Sequence, residues 1–110
     1  MSEYVLPDKI FSTLADDEDL REIVMMFVQE MPDRIAKIEA EFVDNNWSEL
    51  ERTAHQLKGA AGSYGFEKIG PIASKLETLL KSHAQLDEIA AVKDHLIALC
   101  QRITAEPMNV

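Results

Sequence analysis

In "RTAHQLKGAAGSYGF", residues 52–66, His55 stands three positions before Lys58, four before Gly59 and seven before Gly62. If the stretch is helical, Lys58 and Gly59 lie one turn beyond His55, with Gly62 a turn further along the same face. An imidazole in such a place is core filler, a metal ligand, a general base or a phosphate carrier. A neutral ring nitrogen is nucleophilic near pH 7. A lysine one turn away balances charge on transferring phosphoryl oxygens, so the pair suits phosphoryl transfer. The chain shows no glycine-rich nucleotide loop and no recognisable carboxylate motif for a metal, so activation of ATP by the chain itself is not expected.

Other chemistries find less support. Zinc needs three or four converging ligands, and His55, His83 and His95 lack such spacing, so no metal site is expected. His83 and His95 read as surface or helix-end residues. "GSYG" is not the nucleophile elbow of a hydrolase. The two glycines admit two readings. A glycine in a helix interior costs roughly 1 kcal/mol relative to alanine. That cost is repaid if a partner's backbone approaches the imidazole, or if a neighbouring helix of the same chain packs there.

These residues need a helix to carry them, and helical spacing runs through the chain. Strand signals are absent. A short first helix is expected at 8–14. A second starts near Asp17 or Asp19 and sets Leu20, Val24, Phe27, Met31, Ile35, Ile38 and Phe42 on one stripe. Pro32 inside it should bend the helix. "DNNWSEL" makes a turn, with Asn46 and Glu49 as an approximate capping box.

The third helix runs from Trp47 through Leu50, Ala54, Leu57 and Ala61 to Tyr64, with Gly65 as its stop. His55 is rotated about 100° from Ala54, beside this seam and at least partly exposed. A fourth helix places Ile69, Ile72, Leu76 and Leu79 inward, and a fifth Leu86, Ile89, Val92, Leu96, Cys100 and Ile103. The expected fold is all-α: an up-down-up-down antiparallel four-helix bundle with a short additional N-terminal helix. It forms one domain over 1–110, with loose tails at 1–7 and 106–110.

Charge narrows the partners. The net charge of −9 argues against nucleic acid and against an anionic membrane surface. Residues 1–51 carry 4 basic and 14 acidic side chains, whereas residues 52–82 carry 5 and 2. The histidine stretch is therefore the one basic segment of an acidic chain, suited to an acidic partner. A few lysines that keep a helix soluble would look the same. The single cysteine, Cys100, lies among apolar residues and reads as buried filler. With neither a secretory signal nor an apolar span, the chain reads as a cytoplasmic protein.

"AHQLKGAAGSYGF" followed by "IASKLE", with "FVQEMPDRIAKIEAEFVDNNWSELERTAHQLKG" upstream, closely resembles histidine-containing phosphotransfer (HPt) domains over roughly residues 20–80. The resemblance implies that His55 is phosphorylated and that Lys58 is the lysine one turn on. Gly59 and Gly62 match the small residues that open the surface, and Gly65 the glycine ending that helix. Arg52, Gly59, Gly62 and Gly65 are expected to bind the partner. Glu77 matches a facing-helix Gln or Glu that accepts from imidazole Nδ1 and leaves Nε2 for phosphate. Ser74 stands where the related domain of chemotaxis-type kinases often has a second histidine. This favours a freestanding protein over the chemotaxis-type domain, whereas a domain cut from a larger hybrid kinase would look the same.

The function so implied is a phosphocarrier in a multistep phosphorelay, not an enzyme. It has no intrinsic cofactor, and its receiver-domain partners, on response regulators or a hybrid histidine kinase, supply Mg²⁺. Docking is expected on a modest apolar patch with a polar rim, and a closed bundle is most simply a monomer. The competing class is a helical adaptor that binds a receiver or kinase without being phosphorylated.

Overall fold

The computed structural model describes residues 6–108. It contains α1 (Glu18–Val43), α2 (Trp47–Ser63), α3 (Ile69–Lys81) and α4 (Leu86–Cys100), preceded by β1 (Ile10–Phe11) and followed by β2 (Ile103–Thr104). The Asp17 carboxylate caps α1 by accepting the Asp19 N–H at 2.9 Å. Glu18 and Asp19 add negative charge to the positive end of the helix dipole. Val24, Phe27, Met31 and Ile38 are buried, as their spacing predicts, while Leu20, Ile35 and Phe42 are half-buried. Helix α1 continues through Pro32, which sits on its exposed face.

Each helix-to-helix turn closes in the same way. Asn45, Gly65 and His83 adopt left-handed φ values of 56°, 81° and 55° just past α1, α2 and α3. The following amide reaches back into the last turn: Asn46 to the Glu41 carbonyl at 2.9 Å, Phe66 to Ala61 at 2.9 Å, Ala84 to Leu79 at 3.0 Å. This closure explains why the expected Asn46–Glu49 capping box does not form. The Asn46 N–H that Glu49 would have accepted is already donated to Glu41, and the Asn46 side chain makes no capping bond. Glu49 pairs instead with Arg52 at 3.6 Å.

The four helices form a bundle in which α1 packs on α2, α2 on α3, α3 on α4, and α4 back on α1. The α2 seam of Leu50, Ala54, Leu57 and Ala61 is buried as expected. Phe27 stacks on Tyr64 with centroids 4.8 Å apart, and the Thr53 hydroxyl donates to Glu41 at 3.0 Å. Buried Lys93 of α4 holds Glu39 of α1 at 3.1 Å and lies 4.4 Å from the Phe42 ring. On α3 the inward residues are Ile69, Ala73, Leu76, Glu77 and Leu80, with Ile72 and Leu79 half-buried. On α4, Leu86 is exposed at the helix start, and Ile103 belongs to β2. Cys100 is buried filler, and burial pushes its thiol up to about 12.

The expected helix at 8–14 and the absence of strands are both corrected. Residues 10–11 pair in parallel with 103–104, and turns follow. Nonlocal partners satisfy this backbone: Ile10 N–H donates to Arg102 at 2.8 Å and Thr13 N–H to Gly65 at 2.9 Å. The Ser12 hydroxyl donates to the Tyr64 carbonyl at 2.6 Å. The end of the chain is tied as well, through Lys9–Glu106 at 2.9 Å and Met108 N–H to Asp16 at 3.0 Å. The tails expected to be loose are therefore anchored at 106–108, while 1–5 and 109–110 lie outside the described residues.

Candidate functional site

Burial of Ala54 and Leu57 fixes the rotation of α2, which turns His55 outward with 63% of its side chain exposed. Opposite it, α3 presents Glu77, whose side chain is only 7% exposed. The His55 Nδ1 to Glu77 Oε2 distance is 2.8 Å. Lys58 Nζ donates to Glu77 Oε1 at 3.1 Å, and Lys81 Nζ reaches Oε2 at 3.2 Å.

Burial opposes ionisation of Glu77, but the donors Lys58, Lys81 and His55 outweigh it and hold its carboxyl down at about 2. An ionised carboxylate only accepts, so Nδ1 must carry the hydrogen. In the neutral ring the lone pair then resides on Nε2. Glu77 thus selects the tautomer whose lone pair is on Nε2, and one charged oxygen pair serves three donors.

The structure brings His55, Lys58 and Glu77 together, as the resemblance implies. Gly59 and Gly62 are exposed, and a methyl group built on either meets nothing within 4 Å. Of the two readings, this is the open surface rather than an internal helix contact. Arg52 is exposed and turned toward Glu49. Gly65 is not part of that surface. It is buried, and a Cβ there would lie 2.6 Å from Ser12 Oγ and 3.0 Å from the Thr13 nitrogen. Its place in the structure is the left-handed turn beneath the N-terminal segment.

Lys81 went unremarked in the sequence, although it lies four residues after Glu77, where side chains on one helix meet. Arg34 and Lys37 of α1 join Gln56 of α2 in lining a cleft of 250 Å³ beside the histidine helix. His83 occupies the α3–α4 turn and His95 is half-buried on α4. Among the described residues, no group of three His, Cys, Asp or Glu side chains is placed to hold a metal ion.

A helical bundle that lifts one imidazole to its surface, with Nδ1 held by a buried carboxylate, has the build of a histidine phosphocarrier. A model of the Hpt domain matches residues 22–106, and the chain belongs to that family. Searches of curated proteins and of solved structures returned no match. Domains of this family serve histidine phosphotransfer in two-component phosphorelays, working with receiver domains as carriers rather than as catalysts. Among the described residues, no helix is long and apolar enough to cross a membrane.

Proposed function

We propose that His55 accepts a phosphoryl group from the aspartyl phosphate of one receiver domain and passes it to the aspartate of another. The observation that carries this reading is the 2.8 Å contact from Nδ1 to Glu77, which leaves Nε2 as the attacking atom. In the step, an Nε2–P bond forms while the P–O bond to the aspartyl carboxyl breaks, and that electron pair returns to the aspartate. The imidazole keeps its Nδ1 hydrogen and gains positive charge, which the ionised Glu77 offsets. Lys58 is placed to swing toward the phosphoryl oxygens. The receiver supplies Mg²⁺ and its acidic pocket; the carrier contributes an aligned nucleophile and needs no cofactor of its own.

Docking uses the bare strip at Gly59 and Gly62. Ile23 and Met26, exposed on α1, would add apolar surface, since α1 meets the end of α2 through the stack of Phe27 on Tyr64. Arg52, Arg34 and Lys37 furnish a basic rim for the receiver's carboxylates. The pairings of Phe27 with Tyr64, Thr53 with Glu41 and His55 with Glu77 support an up-down-up-down antiparallel order. The chain acts as one domain, a monomer in the cytoplasm.

The test is transfer from a phosphorylated receiver, with intact mass measured before and after and His55→Gln alongside. An acid-labile, base-stable label that is absent from the variant is the expected result. A label that persists in His55→Gln assigns the chemistry to another residue, and binding with no label moves the protein to the adaptor class.

A further inference from the structure

We infer that Lys81 is a positioning residue acting through Glu77: its ammonium shares the carboxylate oxygen that holds His55 Nδ1, and so restrains that carboxylate from driving the imidazole into its protonated, non-nucleophilic form. The inference rests on the carrier reading above and adds a control on when His55 can react.

A carboxylate beside an imidazole has two effects that pull apart. Its hydrogen bond selects the tautomer with Nε2 free, but its charge favours the imidazolium, which has no lone pair to attack with. The site must keep the first effect and limit the second. Glu77 Oε2 accepts from both Nδ1 at 2.8 Å and Lys81 Nζ at 3.2 Å, whereas Lys58 meets the other oxygen, Oε1, at 3.1 Å. Two ammonium groups therefore face one carboxylate, so the cluster carries a net positive charge even before the ring takes a proton. Of the two lysines, Lys58 belongs to the helix of His55 and is free to turn to the phosphoryl group during transfer. Lys81, one turn beyond Glu77 on α3, then stays as its steady counter-charge.

The other charged groups around the ring do not take over this task. On α2, Glu51 lies one turn before His55, and Arg52 is drawn to Glu49 at 3.6 Å. On α1, Lys37 and Arg34 lie across Gln56, with Arg34 directed to Glu30 at 3.8 Å. On α4, Lys93 is engaged with Glu39 and Asp94. Among the described residues, Lys58 and Lys81 are the lysines in contact with Glu77, and of these two Lys81 shares the oxygen bound to the ring.

The experiment follows the His55 imidazole by NMR across pH in the full, unphosphorylated chain, for the parent, Lys81→Gln and Lys81→Arg. Lys81 is 59% exposed, so these changes spare the core. In Lys81→Gln the titration midpoint of His55 should move to higher pH, and Lys81→Arg should restore it. Phosphoryl acceptance from a phosphorylated receiver should fall about threefold at pH 6 in Lys81→Gln while nearly matching the parent at pH 8.5. An unmoved midpoint, or an equal loss of rate at both pH values, overturns the inference. Because the titration uses no phosphoryl donor, it decides the role of Lys81 separately from the carrier reading. Failure of the parent to take label on His55 would count against that reading alone.

Discussion

Replacing Gly59 should make this protein more stable and, with a large enough side chain, a poorer phosphocarrier. Gly59 sits in the interior of α2, one turn beyond His55, and a methyl group there meets nothing within 4 Å. Glycine in such a position costs about 1 kcal/mol relative to alanine, and glutamine ranks close to alanine. Gly59→Ala should therefore gain about 0.5–1 kcal/mol, and Gly59→Gln slightly less. For a domain of this size, that gain raises Tm by about 2–4 °C. Thermal and urea unfolding followed by circular dichroism would measure it. The glutamine side chain would also stand between the imidazole and any docked partner. Transfer from a phosphorylated receiver should then slow by about tenfold, equivalent to about 1.4 kcal/mol of lost docking. A destabilised Gly59→Ala would show that the space beside His55 is not open. A stabilised Gly59→Gln that transfers at the parent rate would refute the idea that the bare strip serves docking.

The opposite result is expected at Gly65, where φ is +81° and a Cβ would press on Ser12 and Thr13. Gly65→Ala should lose about 2 kcal/mol or more in urea unfolding, and a loss below about 0.5 kcal/mol would contradict the turn geometry. Glu77 makes stability depend on acid. Its folded carboxyl is held at about 2 against an ordinary 4.5, so its contribution is complete above about 4.5 and is lost as pH falls through about 2. A shift of that size is worth about 3 kcal/mol by linkage, and screening of its exposed donors reduces this to about 1–2 kcal/mol. Stability measured from pH 6 down to pH 2 should therefore fall less steeply in Glu77→Gln than in the parent; identical curves would remove Glu77 as a cause. The same variant keeps an acceptor for Nδ1 but loses the charge, so at equilibrium with a receiver less label should rest on His55, and an unchanged partition would leave only the hydrogen bond in play. Lys58→Ala should slow transfer several-fold without unfolding the bundle, and an unaltered rate would take Lys58 out of the mechanism.

The long helices were legible in the sequence because their burial is periodic. Val24, Phe27, Met31 and Ile38 announce α1, and Leu50, Ala54, Leu57 and Ala61 announce α2, without reference to anything outside those segments. The local cue also sufficed at Gly65, since glycine is the usual residue for a left-handed helix end. It failed at 8–14, because the partners of that segment are the carbonyls of Gly65 and Arg102, far away in the chain. A capping motif misled at Asn46 for a related reason: the preceding turn had already taken its N–H. Within the site, spacing placed Lys58 and the glycines around His55. Whether those glycines faced solvent or another helix depends on packing, which only the folded chain decides. Lys81 had a readable four-residue relation to Glu77, but it gains meaning only once Glu77 is seen to be buried against His55.

A carrier must give up what it accepts, and this requirement bears on the choice of charges around His55. Stabilisation of the phosphorylated ring lowers the barrier to loading and raises the barrier to unloading by related amounts, so an excess in either direction defeats a relay. A buried carboxylate at 77 favours the ring when it becomes positive, whether through phosphorus or through a proton. Lys58 and Lys81, bound to that same carboxylate at 3.1 and 3.2 Å, lessen both gains together. Both lysines are partly exposed, whereas Glu77 is held by the packed face of α3. Under the proposed role, the buried carboxylate sets which nitrogen reacts, and the two lysines adjust how strongly the ring is held in its charged state. The rigid bundle is needed for the first task, because a shift between α2 and α3 would break the 2.8 Å contact and release the wrong tautomer.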